Sequence, residues 1–428
     1  MSAHGWGYLR PEDLDTILEG IRQGKALGGP YHAEIDPIDV CNADCFFCNS
    51  VEFRRGDVLR WDVLGPRVEE LIAGGLRSFR LSGGGEPTLY PDLRQLCERM
   101  GEAGVILDNL TTNGVALSAR KATLLAPLGP TYYNISLNYA SRERYEQFMR
   151  IPATAFDKAA ENIRQLDQTL AEAGRRRESC LNLQFFIQPS TVGDLERMME
   201  LSAELPVDQV MLSSIGDAPE GERMSPEHIE SFQQGMAAIA PEWLKRRPLR
   251  LSLDHYGLRE FSESLLRPAR GQDAPEDASV GDPAAPDPIE FCYIGWHSLV
   301  VQGTGEVHPC CYLMPEKKIP AFGNLRQQTV AEVWQGESYS RFRQEMRWAM
   351  LVRSRTPMQS KRFRCTMPYC WSHDQCLLAY DLADRPFYER AHAELEKLRR
   401  RPALRLANIA ASAARAAIDG SKKLAGVS

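Results

Sequence analysis

No stretch of this 428-residue chain is apolar for long enough to cross a bilayer, so a transmembrane segment is not expected. The first residues, Met1-Ser2-Ala3-His4-Gly5-Trp6, lack a basic segment followed by an apolar core. A secretory signal is therefore not expected, and the cytoplasm is the expected compartment. An excess of positive charge is missing as well: 51 Lys and Arg stand against 57 Asp and Glu, a formal net charge of −6, which argues against nucleic acid as a partner. Cysteine is not scarce, but its eleven copies do not form the even scatter of a disulfide scaffold. One tight N-terminal group, one looser C-terminal group and the singletons Cys97 and Cys180 read as metal ligation in a reducing compartment, with the singletons as packed thiols.

The tight group is Cys41, Cys45 and Cys48, a C-x3-C-x2-C run. Three thiolates within eight residues can wrap one soft metal centre. Three is one fewer than a closed tetrahedral zinc site or a fully ligated 4Fe–4S cluster requires. A cubane held by three cysteines keeps one iron open to a ligand; a zinc knuckle with its fourth ligand elsewhere is the plainer alternative. Further on stands Leu81-Ser82-Gly83-Gly84-Gly85-Glu86-Pro87-Thr88, after a strand-like run and before a helix-like one. Glycines let backbone approach a ligand closely, and Glu86 offers an acceptor for an ammonium group.

The cysteine run, with an aromatic residue before its third cysteine, and the glycine segment one βα unit later together resemble the signature of the radical S-adenosylmethionine superfamily. The resemblance implies that Cys41, Cys45 and Cys48 hold a 4Fe–4S cluster whose open iron chelates S-adenosylmethionine. Gly84, Gly85, Glu86 and Pro87 then lie against the methionine moiety. It further implies reductive cleavage to a 5′-deoxyadenosyl radical, hydrogen abstraction from an unactivated C–H bond, and an electron donor such as flavodoxin or ferredoxin.

The fold expectation is α/β. Strands are expected at 33–38, 78–81, 106–110, 133–137, 182–187 and 209–212, separated by amphipathic stretches such as 62–72, 91–103, 155–171 and 192–205. Such alternation makes a parallel sheet with helices outside. The family resemblance sharpens this to a partial (β/α)6 TIM-like barrel. The cysteine loop follows the first strand and the glycine loop the second, so both fall at the strand C-termini, where barrel chemistry sits. Thr112 and Asn113, Ser136 and Asn138, and Gln188 stand at later strand ends as candidate contacts to the nucleoside, with ordinary turn chemistry as the alternative.

The expected organisation is an N-terminal helical segment (1–30), the barrel core (31–216), a bridging helix and flexible linker (217–290), a small C-terminal cysteine-bearing domain (291–380) and a helical tail (381–428). Cys292, then Gly305 after twelve residues, then Cys310 resemble the opening of the SPASM domain, and a hairpin turning near Gly305 would bring the two cysteines together. The resemblance implies an auxiliary 4Fe–4S cluster. The later block Cys365, Cys370, Cys376 departs from the full two-cluster pattern, and the ligands fall short of the eight thiolates that two closed cubanes need. One auxiliary cluster on Cys292, Cys310 and two of Cys365, Cys370 and Cys376 is expected, as in the shortened "twitch" relatives. A structural zinc on the same cysteines is the alternative. Cys311 is a candidate ligand, a redox-active thiol that could be the hydrogen donor an epimerisation would require, or merely a buried thiol.

The expected substrate is a small polar molecule such as a sugar or aminocyclitol, oxidised or epimerised; the alternative is a ribosomally made peptide, crosslinked, oxidised or epimerised. Iron and sulfide analysis of anaerobically reconstituted protein should give close to two cubanes per chain. Removing Cys292 and Cys310 should leave about one, the three-cysteine cluster.

Overall fold

The computed structural model describes residues 8–48, 50–51, 54–215, 220–246, 249–252, 294–310, 320–351, 393 and 396–402. Among the described residues ten strands form one sheet. In chain order they are β1 (His32–Asp36), β2 (Ser78–Leu81), β3 (Ile106–Thr112), β4 (Tyr132–Asn138), β5 (Cys180–Ile187), β6 (Gln209–Ser214), β7 (Leu249–Ser252), β8 (Ser298–Gln302), β9 (Glu306–His308) and β10 (Gly323–Asn324). Their order across the sheet is β10-β9-β8-β1-β2-β3-β4-β5-β6-β7. Every pairing from β8 to β7 is parallel, while β9 and β10 are antiparallel additions. The six expected strands are the consecutive middle of this sheet. A partial barrel results, extended at one end by β7 and at the other by β8.

Helices follow most strands: α1 (Pro11–Gln23) precedes β1, then come α2 (Trp61–Ala73), α3 (Leu93–Glu102), α4 (Ala119–Leu125), α5 (Arg142–Met149), α6 (Thr154–Glu172), α7 (Leu195–Glu204) and α8 (Pro226–Arg246). Helix α6 shows why they form where they do. Ala155, Phe156, Ala159, Ala160, Ile163, Leu166 and Leu170 are buried at helical spacing against the sheet. Helix α8 opens at Ser225, whose hydroxyl accepts from the His228 amide at 3.4 Å. The amphipathic stretch 192–205 divides at Asp194 into a 3₁₀ segment, Pro189–Asp194, and α7, because Pro189 and the Gln188 cap favour a tight first turn. Helices α4 and α5, absent from the sequence reading, are seven and eight residues long, too short for a periodicity to stand out.

The sheet has two unlike faces. Register partners in parallel strands share a face, so each face can be followed across the sheet. Ala33, Ile35, Phe79, Leu110, Ile135, Leu183 and Phe185 point to the helices and are fully buried. The concave face carries Glu34, Arg80, Asn109, Asn134 and Asn182 at successive register positions or one step along.

The C-terminal elements are stitched to the barrel edge. The α9 turn (Ile294–His297) leads into β8, whose residues His32↔Ser298 to Asp36↔Gln302 pair with all of β1. A hairpin then turns through Gly305, at φ 85, into β9. Helices α10 (Val330–Trp334) and α11 (Glu337–Leu351) close over this hairpin and over α1. The indoles of Trp296 and Trp334 donate to Lys25 O and Gly28 O, and Arg347 Nε donates to Ile21 O at 2.9 Å. Among the described residues no helix is long and apolar enough to cross a membrane.

Arg343 on α11 is the buried pin of this region. Its guanidinium donates to Gly295 O and Trp334 O, both at 2.6 Å, and lies 4.3 Å over the Trp334 ring. Burial pulls its pKa down to about 10. Arg343→Met keeps the stem but leaves two buried carbonyls without donors. It should destabilise the chain by roughly 2 kcal/mol or more, read as a lower denaturation midpoint in urea.

Candidate metal and cofactor centre

The loop from β1 to α2 is tied off at its base. Ile38 and Val58 form an antiparallel bridge, and Leu59 N donates to Pro37 O at 2.8 Å. Within it, Asp44 N and Phe46 N donate to Met149 O and Phe148 O, both at 3.2 Å, so the end of α5 holds the cysteine loop down. Phe46 packs on Phe148 (5.2 Å between ring centroids) and Phe47 on Phe186 (4.5 Å). These anchors keep Cys41, Cys45 and Cys48 half-buried at the strand C-termini. Burial pushes the Cys45 thiol up to about 12, with the neighbouring Cys48 and Cys41 adding to the effect, and burial moves Cys41 upward too. A metal centre is what would draw these protons off.

The glycine loop lies directly against this one. A Cβ on Gly85 would stand 2.3 Å from Val40 O, and one on Gly83, at φ 128, would stand 2.6 Å from Asp36 Cβ. Only glycine fits at either place. Gly84 has ordinary room. Glu86 N donates to Val40 O at 2.9 Å, closing the junction.

The Glu86 side chain, which sequence reasoning gave to a cofactor ammonium, is buried and engaged by the protein. Its Oε1 accepts from Thr88 N (3.1 Å), Thr88 Oγ1 (2.6 Å) and Thr112 Oγ1 (2.6 Å), and Oε2 accepts from Asn113 N (2.8 Å). Of the two oxygens, Oε2 retains the acceptor capacity for a ligand. Pro87 opens the short 3₁₀ turn that Glu86 caps. Asn113 Nδ2 donates to Asn42 Oδ1 at 2.7 Å and lies 3.9 Å from Cys41 Sγ. Thus Cys41, Cys45, Cys48, Gly84, Gly85, Glu86, Pro87, Thr112 and Asn113 form one contiguous rim.

The other candidates divide. Asn138 has a left-handed backbone, φ 67, a buried Oδ1 without a hydrogen-bond partner among the described residues, and an Nδ2 that reaches Met149 Sδ at 3.3 Å. Met149 Sδ in turn is 3.5 Å from Cys45 Sγ, so Asn138 stands one side chain behind the cysteine loop. Ser136 is half-buried on the concave face. Gln188 is taken up by the protein: Oε1 accepts from Tyr139 Oη, and Nε2 donates to Ser190 and Glu222.

Cys310 is buried, two residues past β9. Since His308 pairs with Val300, Cys310 returns to the level of Ser298 and His32, the opposite end of the sheet from the cysteine loop. The two levels are about 13 Å apart along β1. Cys292, Cys311, Cys365, Cys370 and Cys376 lie outside the described residues.

Sequence reasoning missed Arg54. Its Nε donates to Gly84 O at 2.9 Å, Nη1 to Ala43 O at 3.0 Å and Nη2 to Cys48 Sγ at 3.1 Å. A cation six residues past the third cysteine was the signal available.

The donor set, three half-buried thiols on one loop, suits a soft iron–sulfur centre. The buried Asn138 Oδ1, without a hydrogen-bond partner among the described residues, leaves an acceptor for a bound cofactor.

Residues 35–169 match the model of the Radical SAM superfamily, and residues 292–366 match SPASM, an iron-sulfur cluster-binding domain. A probable GTP 3',8-cyclase of Sulfurisphaera tokodaii is 29% identical over 294 residues, 67% of this chain and 82% of that protein. One from Metallosphaera sedula is 28% identical over 211 residues, and the match spans 61% of its length. Among solved structures, Streptococcus suis SuiB bound to precursor peptide SuiA aligns with a TM-score of 0.54 at 12% identity, covering 82% of this chain and 79% of that one. A structure of anSMEcpe with bound AdoMet and a peptide aligns at 0.51 and 17%, covering 85% and 99%. At these identities the solved structures share the fold.

Glu86→Gln tests the clamp. Replacing one acceptor oxygen by an amide sets it against hydroxyl and backbone donors and should cost about 1–3 kcal/mol of stability in cofactor-free protein. A residue that touched only the cofactor would leave the urea midpoint of that protein unchanged.

Proposed function

We propose that this chain, which belongs to the radical SAM superfamily and carries a C-terminal SPASM iron–sulfur domain, oxidises or epimerises a small polar molecule of the sugar or aminocyclitol kind. Its cofactors are a 4Fe–4S cluster, S-adenosylmethionine and an auxiliary cluster. When bound, they supply the electron and the 5′-deoxyadenosyl radical that removes hydrogen from an unactivated C–H bond.

The observation that carries the substrate class is the polar lumen. Glu34 and Arg80 approach at 3.9 Å. Asn182 Nδ2 donates to Asn134 Oδ1 at 2.8 Å, and Asn134 Nδ2 donates to Gln184 Oε1 at 3.3 Å. Arg80, Thr111, Ser136 and Gln184 keep some solvent contact, while the outward residues beside them have none. The lumen's amides, hydroxyls and Glu34–Arg80 pair, set among Val300, Phe186 and Met211, offer donors and acceptors to a hydrogen-bonding molecule.

In this reading Cys41, Cys45 and Cys48 hold the cluster. Gly84, Gly85 and Asn138 line the cofactor, with Glu86, Thr112 and Asn113 fixing the rim. Arg80, Asn134 and Gln184 orient the substrate beneath it and exclude bulk water. Cys310, with Cys292 and two of Cys365, Cys370 and Cys376, holds the auxiliary cluster toward the far end of the lumen. The curated relatives are named for GTP, itself a small polar molecule, which supports the same class. Peptide modification is the competing reading.

The experiment is a panel of sugars, aminocyclitols, nucleotides and peptides given to reduced, anaerobically reconstituted protein. Deoxyadenosine should rise with a polyol and not with peptides. Arg80→Met and Gln184→Leu should each lower product formation about tenfold or more while substrate-independent deoxyadenosine persists. A peptide that turns over in these variants at the wild-type rate would overturn the assignment.

A further inference from the structure

We infer that Arg54 is a positioning residue for the three-cysteine cluster, fastening the cysteine loop to the glycine loop and raising the cluster's reduction potential through its hydrogen bond to Cys48. The inference rests on the reading that Cys41, Cys45 and Cys48 are the cluster's ligands. Its argument is geometric. The three donors of one planar guanidinium go to three separate groups: Gly84 O in the loop after β2, Ala43 O inside the cysteine run, and Cys48 Sγ. A rigid fork fixes these three at once, which a lysine ammonium on a flexible stem does not. The backbone beneath is itself held, since Arg55 N donates to Asp39 Oδ2 at 2.7 Å, on the loop's opposite limb.

The electrostatics point the same way. An iron–sulfur cluster on three thiolates becomes more negative when it takes an electron. A fixed cation and an N–H donor on a ligand sulfur favour that reduced form, and such hydrogen bonds tune cluster potentials. Arg54 therefore eases the reduction that any chemistry at this cluster must begin with.

The test is a potentiometric titration of reconstituted full-length protein followed by electron paramagnetic resonance. The cluster signal is assigned by its loss when Cys41, Cys45 and Cys48 are all changed to alanine. If that variant keeps every signal, the ligand assignment fails, independently of Arg54. With the assignment secure, Arg54→Gln should retain iron but shift the midpoint to more negative values, and Arg54→Lys should fall closer to wild type. An unchanged midpoint in Arg54→Gln overturns the inference, even if the cofactor-free protein is less stable, because a purely structural role moves stability and not potential. If Arg54→Gln loses the cluster, Arg54→Lys decides. Retained iron with a near-wild-type midpoint supports the role of the charge, and loss of iron there as well overturns it.

Discussion

A single buried carboxylate organises the rim of this barrel. Glu86 gathers four donors from Thr88, Thr112 and Asn113, while its own amide reaches back to Val40. The loops after β1, β2 and β3 are thereby fixed to one another at one point. A carboxylate buried in this way is tolerated because the protein supplies its hydrogen-bond donors. The cysteines do not carry this arrangement; they inherit it. Cys41 follows directly on Val40, and Asn113 connects the carboxylate to Asn42. The loop positions around the centre are thus fixed by backbone and side-chain hydrogen bonds within the protein.

How much of this was legible in the sequence depends on the range of the interaction. The cysteine run and the glycine segment are local patterns with strict chemical demands, and each stands where its spacing indicated. The six strands were found within a few residues because their apolar alternation is strong. The addition of β8 beside β1 was not foreseen: it joins residues 298–302 to 32–36, and nothing in either segment names the other. The protein's own donors to Glu86 were not read, since an acidic residue behind glycines looks the same whether it faces a ligand or neighbouring strands. Gln188 was singled out by position alone, and its side chain turned out to be engaged within the protein. Arg54 escaped because arginine on a loop is ordinary until its three acceptors are known.

The concave face explains a peculiarity of the strands. Glu34, Arg80, Asn134, Asn182 and Gln184 alternate with buried apolar neighbours, although both faces of a parallel sheet usually favour Val, Ile and Leu. Filling a lumen with polar groups weakens the core unless they are paired, and here the amides of Asn134, Asn182 and Gln184 answer one another across β4 and β5. That pattern was visible in the sequence as a period-two alternation. Its meaning required knowing which side faces inward.

The pairing of β8 with the whole of β1 has a consequence for how the chain holds together. Without β8, β1 would be an open edge, a row of unpaired amides and carbonyls beside a sheet already rich in parallel strands. The C-terminal hairpin therefore acts as a selvedge that keeps the barrel from fraying and from pairing with other chains. Severing it would do more than remove a cysteine: it would turn a self-contained fold into a template for aggregation.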